Sequence, residues 1–190
     1  MGATLYLVRH GETEWSRAGR HTGTSDLPLT DAGEATARSL APILGRLEPD
    51  LVLTSPRLRA RRTASLAGFA EAAVEEDLAE WDYGDYEGLT TPEIRQQVPD
   101  WSIWTHPVPG GESAEQMAAR LDRVIAHVRD AGGQSLVFAH GHSLRVLAAR
   151  WLGLPVSDGR HFFLDTATYS VLGDDRGQDV VLRWNVPAAQ

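Results

Sequence analysis

The chain of 190 residues contains no cysteine. That excludes disulfides, thiolate metal sites and cysteine nucleophiles, the cysteine-based phosphatases among them. No apolar run approaches the roughly 18 residues a membrane span needs, so no membrane partner is expected. Basic residues are outnumbered, with 18 Lys and Arg against 26 Asp and Glu and a formal net charge of −8. This balance argues against nucleic-acid partners. It also sets a condition on any anionic substrate, because a local cluster of Arg would have to overcome a repulsive overall field. No internal repeat, low-complexity segment or linker interrupts the chain, and its length suits one domain over residues 1–190. The N-terminus carries no basic region followed by an apolar stretch, so a cytoplasmic location is expected. Met1-Gly2 opens like a myristoylation site, but Tyr6 stands where Ser or Thr is required.

What is present begins with Leu5 to Val8, a short β-prone apolar run that stops at Arg9-His10-Gly11-Glu12. It reads as a buried strand whose polar end lies at the ligand-binding edge of a sheet. Arg9 offers a planar fork suited to phosphate, His10 can be a nucleophile or a proton carrier, and Gly11 allows a tight turn beside a ligand. Residues 15–29 read as a long ordered loop. Thr30 caps a helix with Ala37, Leu40, Leu44 and Leu47 on one face, which Pro42 should kink. Asp50 to Leu53 is a second strand. Thr54-Ser55-Pro56 then signals a helix with Ser55 as cap and Pro56 at its first position. In that helix Arg59 and Arg62 share one face and Arg57 and Arg61 another, so at most two can enter one pocket.

Residues 74–78 suggest a minor strand, and Glu80 to Gly88 an acidic, aromatic, Gly-punctuated loop. Thr91-Pro92 opens a short helix to Val98, and 99–111 should be irregular. Ser113 with Gln116 forms a capping box for a helix with Met117, Leu121, Val124 and Val128 on its face, ending at Gly132-Gly133. Leu136 to Ala139 is another buried strand, ending in His140-Gly141-His142-Ser143 and followed by a helix from Leu144 to Leu152. Thr168 to Leu172 and Val180 to Trp184 are the last strands. The alternation predicts an α/β fold, a mostly parallel sheet with helices on both faces.

Three strand ends therefore bring Arg9, His10, Arg59 and His140 toward one sheet edge, and the loop at Glu80 can supply an acid. Two imidazoles, two guanidiniums and a carboxylate suit phosphoryl transfer through a phosphohistidine. A cation held by His140-x-His142 is a rival reading, disfavoured by the Arg residues, so no metal is expected. A phosphate-reading module without catalysis is another; it predicts loss of the nucleophile or the acid, and His10 and Glu80 are both present. His21 reads equally as a pocket-mouth or a surface residue. His142 reads as a helix-start or supporting residue.

Four segments together carry a resemblance: Leu-Val-Arg-His-Gly-Glu-Thr-Glu (7–14), Thr-Ser-Pro-Arg-Leu-Arg-Ala-Arg-Arg-Thr-Ala (54–64), Glu80 through Gly88, and Ala-His-Gly-His-Ser-Leu-Arg (139–145). In this order the chain resembles the histidine phosphatase superfamily, in the branch of the cofactor-dependent phosphoglycerate mutases and their phosphatase relatives. The likeness runs from Leu5 to about Thr168. It implies a three-layer α/β/α sandwich of the phosphoglycerate-mutase-like kind and a phosphorylated small-molecule substrate, with no cofactor. By position, it implies phosphorylation of His10, phosphoryl contacts from Arg9, Arg59 and His140, and Glu80 as general acid. Ser16, Thr22 and Gly23 match pocket-shaping positions, with Ser16 departing from the Asn usual in the mutases. His21 and Gly141 complete the substrate-binding expectation.

The mutases carry a large insertion between the acid and the second His. Here His140 lies only 60 positions after Glu80, with few basic residues between, so hydrolysis is expected and mutase activity is the alternative. Glu14-Trp15-Ser16, Tyr83 to Gly88, Trp101 to Trp104 and Phe138 to His142 further resemble the sedoheptulose-1,7-bisphosphatase type, much of which broad acid phosphatases share. That implies a sugar phosphate or bisphosphate. A second phosphate would need a remote basic group, for which His21, Arg20 or the 99–111 loop are candidates. Dimers are common in the family, and a homodimer is the oligomer it suggests.

Overall fold

The computed structural model describes residues 2–188. In chain order its elements are β1 Thr4–Arg9, α1 Glu14–Arg17, α2 Asp31–Ser39, α3 Ala41–Leu44, β2 Leu51–Thr54, α4 Leu58–Leu66, β3 Ala73–Val74, α5 Thr91–Arg95, α6 Ala114–Ala131, β4 Gln134–Ala139, α7 Gly141–Trp151, β5 Thr168–Asp175 and β6 Gln178–Pro187, with three short 3₁₀ turns between. One six-stranded sheet has the order β3-β2-β4-β1-β5-β6. β1, β2, β3 and β4 run parallel, and at one side β5 pairs antiparallel with both β1 and β6. The fold is the expected mixed, mostly parallel sheet flanked by helices.

Side-chain alternation along the strands divides the core in two. Leu5, Leu7, Val137 and Ala139 pack against Met117, Leu121, Val124 and Val128 of α6 and Leu144 and Leu147 of α7. Val8, Leu136 and Phe138 face the other way, onto Leu40, Leu44 and Ala64. Helices therefore cover both faces, which is what near-continuous apolar strands such as β1 and β4 require. Among the described residues no helix is long and apolar enough to cross a membrane.

Several boundaries differ from the sequence expectation for local reasons. Pro42 does not kink one long helix. The helix ends at Ser39, and Pro42 sits in the first turn of a separate α3, where its missing N–H costs nothing. α4 starts two residues later than Ser55-Pro56 suggested, with Arg57 at its N-cap, and the Ser55 hydroxyl oxygen accepts from the Arg57 N–H at 3.3 Å while also meeting a histidine. α7 begins immediately after His140, so His142 and Ser143 belong to its first turn. The Ser113–Gln116 capping box is present as read, and α6 closes on Gly132 at φ 66°.

The register places the candidate residues. Arg9 pairs with Ala139 across β1 and β4, and Thr54 with Phe138 across β2 and β4. Parallel strands end together, so His10, Ser55 and His140 all emerge at the same sheet edge.

Candidate active site

His10 is 5 % exposed, and its Nδ1 lies 2.7 Å from the Gly11 carbonyl oxygen. A carbonyl only accepts, so Nδ1 carries the ring proton and Nε2 carries the lone pair. Burial, then the charges of Arg59 and Arg9, hold the imidazole well below its ordinary pKa, so the ring is neutral. Gly11 permits a close approach to α2: a Cβ there would stand 2.5 Å from the Gly33 carbonyl oxygen.

His140 has the opposite tautomer. Its Nδ1 accepts from Arg59 Nε at 3.1 Å, so its proton is on Nε2 and is donated to Ser55 Oγ at 2.6 Å. Burial, then Arg59, keeps this ring neutral as well. The two imidazoles meet edge-on with centroids 5.2 Å apart. Ser55 was readable as a helix cap. Its part in fixing His140 follows only from β2 and β4 being neighbours.

The two expected guanidiniums differ in kind. Arg9 lines the cavity, with Nη1 held by the Leu164 carbonyl at 2.5 Å and a buried Nε that has no protein partner among the described residues. Its remaining donors are free for an anion. Arg59 is fully buried and does not line the cavity. Its Nε serves His140, Nη1 the Ser25 carbonyl at 2.9 Å, and Nη2 the Thr22 carbonyl at 2.8 Å. Its charge nevertheless reaches His10. Arg62, its competitor in the sequence, is exposed and paired with Glu34 at 2.7 Å.

Glu80 is 8 % exposed and lies against the start of α7. Its Oε1 accepts from the Trp81 and Ser143 N–H groups at 2.9 and 2.8 Å, and its Oε2 from the His142 N–H at 3.0 Å. A carboxylate at a helix N-terminus satisfies donors that the helix itself cannot. Oε1 thus has both lone pairs in use, while Oε2 keeps one.

Of these groups, Arg9, His10 and Glu80 line a cavity of about 200 Å³, together with Tyr83, Gly141 and His142 and with Ser16, Gly19, Arg20, His21, Thr22, Arg145, Phe163 and Leu164 around them, while His140, like Arg59, stands behind its wall. That is below the roughly 300–1,000 Å³ of drug-sized pockets. Of the expected substrate-binding set, Ser16, His21, Thr22 and Gly141 line it. Ser16 Oγ is also committed to the cap of α1, accepting from the Thr13 N–H at 2.9 Å. Gly23 does not line it. Its N–H is held by the Glu87 carboxylate, and a Cβ there would lie 2.3 Å from the Trp81 carbonyl oxygen. Gly23 thus seals two loops together. His21 is a buried pocket residue rather than a surface one, stacked near Tyr83 at 4.7 Å, and burial lowers its pKa to about 4.

Three lining residues, Tyr83, His142 and Arg145, stand outside the expected catalytic and substrate-binding set. Tyr83 places its hydroxyl 2.6 Å from His142 Nδ1. His142 itself reaches the cavity. Arg145 lies over the Trp104 ring at 4.5 Å and donates to the Gly159 and Arg160 carbonyls, with no carboxylate partner among the described residues. The signal for Arg145 was its spacing from His142, three residues along one helical face; for Tyr83 it was only its place in the Glu80 to Gly88 segment. Among the described residues no group of three or more His, Asp or Glu side chains is placed to hold a metal.

A profile of the histidine phosphatase superfamily (branch 1) matches residues 5–187. The chain is 45% identical to an acid phosphatase of Mycobacterium tuberculosis over 177 residues, covering 91% of this chain and 87% of the relative. It is 39% identical to sedoheptulose 1,7-bisphosphatase of Saccharomyces cerevisiae over 183 residues, covering 79% and 68%. The solved structure of an open reading frame from Mycobacterium tuberculosis superposes with a TM-score of 0.94 at 41% identity, covering all of both chains.

Proposed function

The chain belongs to the histidine phosphatase superfamily, branch 1, and from that premise we propose that it hydrolyses a small phosphate monoester through a phosphohistidine on His10. The observation that carries this reading is the His10–Gly11 hydrogen bond at 2.7 Å. It leaves a neutral ring with its Nε2 lone pair in a cavity whose facing cation, Arg9, has donors to spare.

In the first half-reaction His10 Nε2 forms the N–P bond as the ester P–O bond breaks. Arg9 takes up charge on the phosphoryl oxygens, and the buried charge of Arg59 acts from behind His140. Glu80 delivers a proton to the leaving oxygen from Oε2, the carboxylate oxygen with a lone pair left. In the second, water attacks phosphorus, Glu80 takes its proton, and the N–P bond returns its electrons to His10. Charge neutralisation comes from guanidiniums, so the route uses no metal.

The small cavity supports a compact substrate such as a sugar phosphate. For a second phosphate, the site favours Arg145 over the candidates read from sequence. Arg20 is held by the Gly88 carbonyl at 2.6 Å and Glu93 at 3.6 Å, His21 is neutral, and the 99–111 loop does not line the cavity. The test is phosphate release in EDTA from sedoheptulose 1,7-bisphosphate, fructose 1,6-bisphosphate, 3-phosphoglycerate and an aryl phosphate, with acid-labile phosphoprotein trapped in parallel. Release with trapping that His10→Ala abolishes is expected. Near-normal turnover by His10→Ala would overturn the nucleophile assignment, and phosphate exchange without release would favour a mutase.

A further inference from the structure

His142 and Tyr83 form a pair that the proposed chemistry does not use. Tyr83 is 2 % exposed, and its hydroxyl has one partner among the described residues, His142 Nδ1 at 2.6 Å. A phenol has one proton to donate. If Nδ1 were the donor instead, that proton would be left without an acceptor in a buried place, which costs free energy. So Tyr83 donates and Nδ1 accepts. Burial and the nearby Glu80 raise the Tyr83 pKa well above 10, which keeps the phenol proton in place. The proton of a neutral His142 then sits on Nε2. Burial, then Arg145 and His21, hold the ring well below its ordinary pKa, so it stays neutral.

The Nε2–H has no protein acceptor among the described residues. The neighbouring groups are rings: Trp104 at 5.1 Å, Tyr83 at 5.8 Å and His21 at 6.1 Å. The residue lines the same cavity as His10, while its own backbone N–H is anchored on Glu80. A fixed donor therefore stands in the cavity next to the group that would protonate the leaving oxygen.

We infer that His142 is a specificity residue whose Nε2–H, set by the Tyr83 hydroxyl, donates to an oxygen on the alcohol portion of the substrate, so that the site selects polyhydroxylated phosphate esters over plain alkyl ones. Tyr83 is the positioning residue. This rests on the proposed phosphatase reading for its substrate class but not for its geometry. A site built to bond a substrate oxygen discriminates against the analogue lacking it, because its own polar group is then left unpaired.

The test compares glycerol 3-phosphate with n-propyl phosphate, two alkyl esters that differ in the hydroxyls. Wild type should prefer the first. His142→Leu should reduce that preference by about tenfold, the worth of one hydrogen bond, through a rise in KM that is larger for glycerol 3-phosphate than for n-propyl phosphate. Tyr83→Phe should give a smaller loss of the same sign, since the tautomer is no longer held. Equal losses on both esters in His142→Leu would overturn the inference. Ring ¹⁵N shifts of His142 at pH 7 give a readout independent of turnover. A protonated Nε2 with a bare Nδ1 is expected, and a protonated Nδ1 would overturn it. Absence of a trappable phosphohistidine would count against the proposed function alone, and the same preference would then be read from equilibrium binding of the two esters.

Discussion

Glu80→Gln separates the proposed roles of this residue within one variant. The substitution keeps the shape and one carbonyl oxygen. If that oxygen takes the place of Oε1, it keeps the Trp81 and Ser143 N–H bonds, and the new NH₂ group faces the His142 N–H across what was a 3.0 Å hydrogen bond. One partly buried donor is left unpaired, which costs about 1 kcal/mol and roughly 2–4 °C in Tm for a domain of this size. That is too small to unfold the protein at 25 °C, so a large loss of rate is chemical. Loss of a general acid should slow phosphoryl transfer from an alkyl ester by about 10²–10⁴-fold. An aryl ester with a good leaving group needs little proton, and its kcat/KM should fall by less than about tenfold. Water attack on the phosphohistidine needs the same carboxylate as base, so kcat should fall for both esters and phosphoenzyme should accumulate on the aryl substrate. Rapid-quench trapping gives the second rate, and kcat/KM reports the first. Equal losses in kcat/KM for the two esters would refute Glu80 as the acid, and absence of phosphoenzyme accumulation would refute it as the base.

Ser55→Ala removes the acceptor of His140 Nε2–H at 2.6 Å and should cost about 1–3 kcal/mol from an unpaired buried donor. A calorimetric Tm within 1 °C of wild type would argue that the His140 tautomer is not held this way. Gly23→Ala drives a Cβ to 2.3 Å from the Trp81 carbonyl oxygen and should destabilise by about 1–3 kcal/mol from overpacking of rigid backbone; denaturant midpoints check this, and an unchanged midpoint would contradict the close approach. Four imidazoles, the buried His10, His21 and His140 and the half-buried His142, have pKa values lowered chiefly by desolvation. Below about pH 6.5 the unfolded chain binds protons that the fold does not, so stability rises with pH there and is lost as pH falls, by up to roughly 1.4 kcal/mol per pH unit for each group until its folded pKa is reached. For His21 that loss runs down to about pH 4. Thermal scans from pH 7 to pH 5 should show a steep fall in Tm, and a flat profile would mean that these rings take up protons in the fold as readily as in the unfolded chain.

The layers of the fold were legible because the apolar pattern is strong. β1 and β4 are short runs stopped by His-Gly, α6 announces itself by a capping box and a four-residue face, and parallel strands that end in chemistry must deliver it to one edge. Pairwise hydrogen bonding was not legible. Ser55 before Pro56 has the sequence of a helix cap, and only the adjacency of β2 and β4 turns its hydroxyl toward His140. Arg59 could be chosen over Arg62 by motif, yet motif says nothing of the carbonyls of Ser25 and Thr22 that occupy its donors and set it behind the cavity. Gly23 shows how a motif position can act without touching the cavity. A glycine at a pocket-shaping family position was expected to help form the substrate site, and the structure shows it outside the lining, where a backbone crossing 2.3 Å from a would-be Cβ requires glycine. Tyr83 and His142 lie 59 residues apart and meet through the loop that also carries Glu80. That loop binds the start of α7 twice, through the Glu80 carboxylate to the backbone and through Tyr83 to the His142 ring. A shift of α7 would therefore move the proposed proton carrier and the proposed specificity donor together, which would couple acid catalysis and substrate choice through these two contacts.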